Sequence, residues 1–240
     1  MQLLTTNNAK TVKGEKYGVL TGVLYLAPNT LAGRANLCPD STPGCRAACL
    51  FTAGRGRMDA TQQARLRKTR LLFDEPEAFH AILKADVHAL QLKAKRRGLQ
   101  VAVRLNGTSD LPWEESGIMQ EFPNVQWYDY TKSFARMMKY LGGEMPENYH
   151  LTFSRDETNQ VDAETVLHFG GSVAVVFDEL PETYLGYPVV DGDLSDLRFR
   201  APKSTVIGLS AKGEAKSCNS GFVVRVAEMD KPAMQLAVGG

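Results

Sequence analysis

The residues best suited to chemistry in this chain are its cysteines, and three of the four lie close together. Cys38, Cys45 and Cys49 fall within residues 36–57, a stretch punctuated by glycine and proline that we call the cysteine loop. Cys45 and Cys49 are spaced i and i+4, so one helical turn would bring both sulfur atoms to the same face. Three converging thiols are typical ligands of an iron–sulfur cluster or of a zinc ion.

The spacing of these cysteines favours a cluster over zinc. Structural zinc sites use cysteine pairs separated by about two to four residues, and here only Cys45 and Cys49 fit that pattern. No histidine lies in or next to the cysteine loop to complete a zinc site. We therefore expect a 4Fe-4S cluster, with zinc as the alternative. Cys218 follows a predicted strand and is the expected fourth ligand.

Polar residues follow several predicted strands at the point where each strand ends. The carboxyl ends of parallel strands meet at one edge of a sheet, and α/β proteins bind ligands there. Since the cysteine loop follows the first predicted strand, it should lie at the same edge. We expect a pocket beside the cluster, suited to a small anionic ligand. Its predicted lining residues are Asn106, Thr108, Asp110, Asp129, Lys132, Ser154, Arg155 and Asp193.

The elements that must position these residues alternate between strands and helices. Runs rich in valine, threonine and aromatic residues predict strands at 17–28, 99–107, 125–131, 149–155, 172–178, 187–193, 205–211 and 221–229. Helical patterns, the first with Asp59 as its N-cap, occur at 59–73, 74–98, 131–143 and 162–171. The apolar residues of 74–98 that share one helical face are Phe79, Leu83, Val87, Leu90 and Ala94.

This alternation predicts an α/β fold with a mainly parallel sheet. The number of strand–helix units suits a (β/α) barrel-like fold, closed or partial. No repeat, low-complexity segment or linker divides the sequence. We therefore expect residues 1–240 to form a single domain that carries the cysteine loop.

Composition narrows the classes of function. Hydrophobic residues make up 43% and charged residues 23%, as in ordinary globular proteins. No apolar run is long enough to cross a membrane, and the N-terminus does not resemble a signal peptide. We therefore expect a cytosolic protein without a membrane partner, in a compartment that disfavours structural disulfides.

Basic residues cluster at 55–70 and 93–97. We interpret both stretches as solvated helix faces, with a phosphate-binding surface as the alternative. The formal net charge is only +1, which does not favour a dedicated nucleic-acid binder. A small anionic ligand or a redox partner is accordingly expected ahead of nucleic acid.

Six segments together resemble the gene-product-88-like proteins, a family encoded by bacteriophages. They are NLCPDSTPGCRAACLFTAGRGR, RLNGTSDLPWE, FPNVQWYDYTK, YHLTFSRDE, VVDGDLSDLRF and GLSAKGEAK. The resemblance extends over about residues 17–226. It implies a phage protein that acts in the cytoplasm of the host, and it implies no particular reaction.

The cysteine loop is also similar, more loosely, to that of radical S-adenosylmethionine enzymes. Those enzymes carry three cluster cysteines in the loop after the first strand of a partial (β/α) barrel. The spacing here, C-x6-C-x3-C, departs from their C-x3-C-x2-C pattern. A fourth cysteine would also occupy the iron that their cofactor needs. The resemblance therefore implies a partial barrel with a strand-end site, and we do not expect radical chemistry.

These observations predict a phage-encoded iron–sulfur protein with a redox or cluster-assisted enzymatic role on a substrate that the sequence does not identify. The alternative is a structural zinc-site protein that acts as a binding module for nucleic acid or a host protein. A third interpretation is a metal-free fold whose thiols have no function.

Overall fold

The computed structural model describes residues 1–229, which form a mixed α/β fold around one large sheet. The strands in this part of the chain are β1 (Leu4–Thr5), β2 (Val19–Leu24), β3 (Gln100–Arg104), β4 (Gln126–Thr131), β5 (Tyr149–Ser154), β6 (Val173–Phe177), β7 (Thr183–Tyr184), β8 (Tyr187–Asp191), β9 (Val206–Ser210) and β10 (Val223–Val224). The α-helices are α1 (Ala9–Glu15), α2 (Pro43–Ala47), α3 (Asp59–Asp74), α4 (Pro76–Arg96), α5 (Ile118–Glu121), α6 (Phe134–Leu141), α7 (Gln160–His168) and α8 (Val226–Met229).

The strands pair in the order β1-β2-β3-β4-β5-β6-β9-β8-β7, and β10 joins β6 outside this path. Neighbours from β2 to β8 are parallel, whereas β1 with β2 and β7 with β8 are antiparallel. Parallel neighbours need crossover connections, which α3 to α7 supply for the strands from β2 to β6. The predicted α/β class with mainly parallel strands is confirmed. Because the order runs linearly over residues 1–229, the pairing establishes the parallel sheet and not a closed barrel.

The outer face of the sheet is covered by helices, and α4 is the longest of those described. The apolar residues predicted to share one face of this helix are all buried: Phe79, Leu83, Val87, Leu90 and Ala94. Gly22 in β2 allows close approach, because a Cβ there would lie 2.9 Å from the side chain of Leu90. Gly98 follows the end of this helix with a φ of 63°, the left-handed conformation that glycine adopts readily at helix ends.

The opposite, inner face of the sheet is filled by the chain segment 196–199. Side chains alternate along β4, so Trp127 belongs to the large outer core and Tyr128 to a small inner one with Leu197. The Tyr128 hydroxyl donates to Asp196 at 3.2 Å, and its ring contacts that of Phe199 edge to face, with centroids 5.5 Å apart. The inner face is thereby closed at one end and left open at the carboxyl ends of the strands.

The structure corrects two local predictions and adds two elements at the N-terminus. The predicted strand at 221–229 is only the short β10, followed directly by α8. The N-cap of α3 is Met58, and Asp59 is its first helical residue. The N-terminal elements β1 and α1 were not predicted; backbone N–H groups of Leu3 and Leu4 donate to Asp86 and fix β1 against α4. No helix within residues 1–229 is long and apolar enough to cross a membrane.

Candidate functional site

A cavity of about 270 Å³ opens at the carboxyl ends of β3, β4, β5 and β9, and we call it the strand-end cavity. Three of its wall residues are Cys38, Cys45 and Cys49. Of the polar residues predicted to line a pocket, those found in its wall are Asn106, Thr108, Asp110, Lys132, Ser154 and Asp193. They meet although they are distant in sequence, because parallel strands end at one edge. The thiols and most of the predicted polar residues therefore share one site.

The cysteine loop is held in place by Glu157, which follows β5. The side-chain oxygen of Thr42 caps α2 by accepting the N–H of Cys45 at 3.1 Å. The Glu157 carboxylate accepts the N–H of Gly44 at 2.7 Å and the hydroxyl of Thr42 at 2.8 Å. A Cβ on Gly44 would lie 2.6 Å from that carboxylate, so glycine lets the Glu157 side chain approach the loop closely. These contacts anchor Cys45 at the carboxyl end of β5.

The loop thiols are half-buried and form no disulfide. Cys38 Sγ lies 3.7 Å from the carbonyl oxygen of Thr108, and Cys49 Sγ accepts the N–H of Phe51 at 3.5 Å. Burial raises the pKa of all three thiols, that of Cys38 to about 11. The thiols are therefore protonated at neutral pH, and binding a metal would displace their protons.

The cysteine loop offers a metal group its donor atoms rather than a preformed coordination geometry. Within residues 1–229, no three His, Cys, Asp or Glu side chains lie close enough to hold a metal ion as they stand. The thiols nevertheless face one cavity, and negative charge on Cys45 or Cys49 would raise the pKa of Cys38, so the three are neighbours. Soft thiolates select iron–sulfur clusters or zinc. The residues fit such a group provided that the loop draws its sulfur atoms together.

Cys218 is not one of the described residues that line the cavity. Its Sγ is 3.1 Å from the hydroxyl of Ser220. Its side chain and that of Cys45 pack against the same small apolar cluster. The members of that cluster are Ala48, Ala211, Ala215, Phe222 and Val223. Cys218 and Cys45 thus share one apolar cluster, of which Ala48, Ala215 and Phe222 also line the cavity.

Lys132 and Asp110 are tied to each other in the cavity wall. The Asp110 carboxylate accepts the backbone N–H of Lys132 at 2.8 Å and pairs with Arg136 at 2.5 Å. The Lys132 ammonium donates to the hydroxyl of Ser154 at 3.3 Å and lies 3.5 Å from Asp156. Both charges are balanced within the protein, so an anionic ligand would share Lys132 with these groups.

Charged residues that were not predicted as site residues complete the wall. Arg104, on β3, lies 4.4 Å from the ring centroid of Tyr130 and 3.3 Å from Asp196. Lys212 pairs with Asp193 at 2.6 Å. The sequence does contain a signal for Arg104, because side chains alternate along β3 and Arg104 lies on the face opposite its buried neighbour Val103. Three acidic and three basic side chains therefore line the described wall (Asp110, Asp193, Asp196, Arg104, Lys132 and Lys212).

The remaining predicted pocket residues, Asp129 and Arg155, are not among the residues that line the cavity. Strand alternation puts Asp129 on the same face of β4 as Trp127, where its carboxylate accepts the N–H of Asn106 at 2.7 Å. The guanidinium of Arg155 donates to the carbonyl oxygens of Gly221 and Phe222. Arg155 thus holds the chain that leads into β10.

Asp129 is expected to make stability depend on pH. Burial raises its pKa to about 7, against the attraction of Arg104 and the hydrogen bond from Asn106. An unfolded aspartate has a pKa of about 4, so the folded protein retains an extra proton between about pH 4 and pH 7. Asp129 therefore reduces the free energy of unfolding as pH rises through that range. In urea unfolding, the free energy of unfolding of D129N should increase relative to that of the parent protein from about pH 4 to pH 7. Above about pH 7 the difference should stay constant.

The buried His150 affects the pH dependence of stability in the opposite direction, but its effect is the same in D129N and in the parent protein. Burial lowers the pKa of His150 to about 4, so it increases the free energy of unfolding as pH rises from about 4 to 6.5 in both proteins. The asparagine of D129N keeps an oxygen that can accept the N–H of Asn106. Unfolding free energies of D129N and the parent that remain parallel from about pH 4 to pH 8 would show that Asp129 titrates normally.

The interpretation of the basic stretch at 55–70 as a solvated helix face is wrong for two of its residues. Arg65 and Lys68 on α3 are each only 8% exposed, whereas Arg67 and Arg70 are exposed. The Lys68 ammonium donates to the carbonyl oxygen of Leu3 at 2.6 Å. Their i, i+3 spacing puts both buried cations on one side of the helix, a signal that the sequence contains.

Comparison with known proteins identifies the family of this chain. The family described as gene product 88 matches residues 2–225. No curated protein and no solved structure matches the chain. The family match covers nearly the whole sequence, including the cysteine loop and every described residue of the strand-end cavity wall. The chain therefore belongs to the gene product 88 family.

Proposed function

We propose that this protein binds a 4Fe-4S cluster in the strand-end cavity through Cys38, Cys45 and Cys49, with Cys218 as the fourth ligand. The observation that carries the proposal is that the three thiols of one loop line a single cavity without forming a disulfide. Their spacing suits zinc poorly, since only one pair has the usual separation. Free thiols that line one cavity are the kind of donor set that a cluster requires.

The proposed role is redox or cluster-assisted enzymatic. A thiolate-bound cluster supplies electron transfer at a potential that depends on charge, hydrogen bonding and solvent exposure around it. The chain's own contribution is to orient the loop through Glu157 and to line the cavity beside the thiols with the buried Ala48. Lys132 and Lys212 lie in the wall where a small anionic ligand would bind. A redox protein of the host is the other partner that this role would involve.

The proposal also covers the curvature of the sheet and the cellular compartment in which the protein acts. The sheet would curl as a partial barrel around segment 196–199, leaving the cavity at its mouth, which is where barrel enzymes carry their sites. Membership of a family encoded by phages supports action in the cytoplasm of the host cell.

The support for Cys218 differs from that for the loop cysteines. It packs with Cys45 against one apolar cluster, and its neighbour Ser220 touches the cysteine loop at Gly44. A Cβ on Gly44 would lie only 2.2 Å from the Ser220 hydroxyl, so the two loops are in direct contact. Four cysteine ligands would cap every iron and favour electron transfer over ligand binding at the cluster.

Metal analysis of protein purified without oxygen tests the proposal. We expect a brown protein with about four iron and four acid-labile sulfide per chain. Stoichiometric zinc without sulfide would replace the proposal with the binding-module function. A colourless protein that remains free of iron, sulfide and zinc after anaerobic reconstitution would leave the thiols without a metal role.

A further inference from the structure

Arg65 is a buried cation without a hydrogen-bonded partner for two of its nitrogens. Its residue surface is 8% exposed, and both Nε and Nη1 are buried with no partner among residues 1–229. The other buried cation of α3, Lys68, donates to a backbone carbonyl oxygen. An uncompensated charge away from water is costly, so such a group normally faces an opposite charge.

Two aromatic rings hold the guanidinium of Arg65 in place. It lies 5.0 Å from the ring centroid of Tyr25 and 5.4 Å from that of Phe51. Cation–π contact stabilises an arginine and orients it, but does not satisfy its N–H groups. Tyr25 and Phe51 thus form a clamp that holds this cation at one position behind the cysteine loop.

The clamp places the charge next to a proposed cluster ligand. Phe51, whose ring contacts Arg65, also donates its backbone N–H to the sulfur of Cys49. Phe51 therefore contacts the guanidinium through its ring and the thiol of Cys49 through its backbone. A cluster with thiolate ligands carries net negative charge, so it would supply the counter-charge that Arg65 lacks.

We infer that Arg65 is the counter-charge of the thiolate-bound cluster and that it raises the cluster's reduction potential. The inference rests on the proposed function. Reduction adds one electron to the cluster and makes it more negative, so a fixed positive charge nearby favours the reduced form. Arg65 acts through the electrostatics of Cys49 and is a positioning residue rather than a ligand.

The test is redox titration of the anaerobically purified R65Q, R65K and R67Q variants beside the parent protein. Arg67 lies on the same helix but is exposed, so R67Q is the matched control. At a fixed ambient potential we expect R65Q to lower the ratio of reduced to oxidised cluster by about tenfold, which is about 59 mV for a one-electron couple. R65K keeps the charge and should stay close to the parent, as should R67Q.

Each outcome separates this inference from the proposed function. Absence of iron and sulfide in the parent protein would overturn both. A loaded parent protein with the same potential in R65Q and R67Q would overturn the role of Arg65 alone. Loss of the cluster from both R65Q and R65K would also overturn it, because a role that depends on charge survives in R65K. Loss of the cluster from R65Q alone would support it.

Discussion

Replacing Cys38, Cys45 or Cys49 by alanine is expected to lower the iron content from about four per chain to near zero. These cysteines form the local chelate, and each thiolate lost removes a soft ligand that the oxygen donors of the cavity wall match poorly. Cys218→Ala should instead leave a labile cluster that loses one iron in air. Iron and sulfide analysis together with low-temperature electron paramagnetic resonance of each variant measures this difference.

The control for the cysteine series is Leu50→Ala. Leu50 lies in the same cavity wall directly after Cys49, but its side chain carries no donor atom and is 56% exposed. It should retain the iron of the parent protein. Full iron content in Cys45→Ala would exclude Cys45 as a ligand. A native spectrum and native air stability in Cys218→Ala would remove Cys218 from the ligand set and leave one iron open to a ligand.

Arg136→Met is expected to lower the free energy of unfolding by about 3–5 kcal/mol. Arg136 pairs with Asp110 at 2.5 Å and makes a two-pronged contact with Glu114 at 2.8 Å, and these side chains are at most 13% exposed. Methionine fills the space but leaves two buried carboxylates without their cation. Urea unfolding followed by tryptophan fluorescence provides the measurement, since Trp113 and Trp127 are both buried.

Arg34→Met is the matched control for Arg136→Met. Arg34 also makes a two-pronged contact, with Asp74, but these side chains are 43% and 44% exposed. Water replaces the partner at an exposed pair, so the loss should be below about 1 kcal/mol. Equal losses for the two variants would contradict the buried-network argument. Because Asp110 also holds the backbone of Lys132, Arg136→Met should in addition loosen the cavity wall.

Local sequence patterns determined the parallel α/β class and the approximate position of most strands and helices. The apolar face of α4 could be predicted because helical periodicity follows from backbone geometry and does not depend on the neighbour. The sequence also predicted that Cys38, Cys45 and Cys49 lie close together, because a single short loop contains all three. Asn106, Lys132 and other strand-end residues could be predicted to lie in one cavity, because the carboxyl ends of parallel strands meet at one edge of the sheet.

The tertiary structure alone decided which strand-end side chains face the cavity. A strand alternates its side chains with period two, but which face becomes the inner one depends on how helices and segment 196–199 pack. Asp129 consequently lies on the helix-covered face, and Arg155 is taken up by the chain before β10. The sequence predicted that Arg65 is solvated, but in the folded protein the rings of Tyr25 and Phe51 enclose it. Burial and charge pairing are properties of such long-range contacts, which local periodicity does not encode.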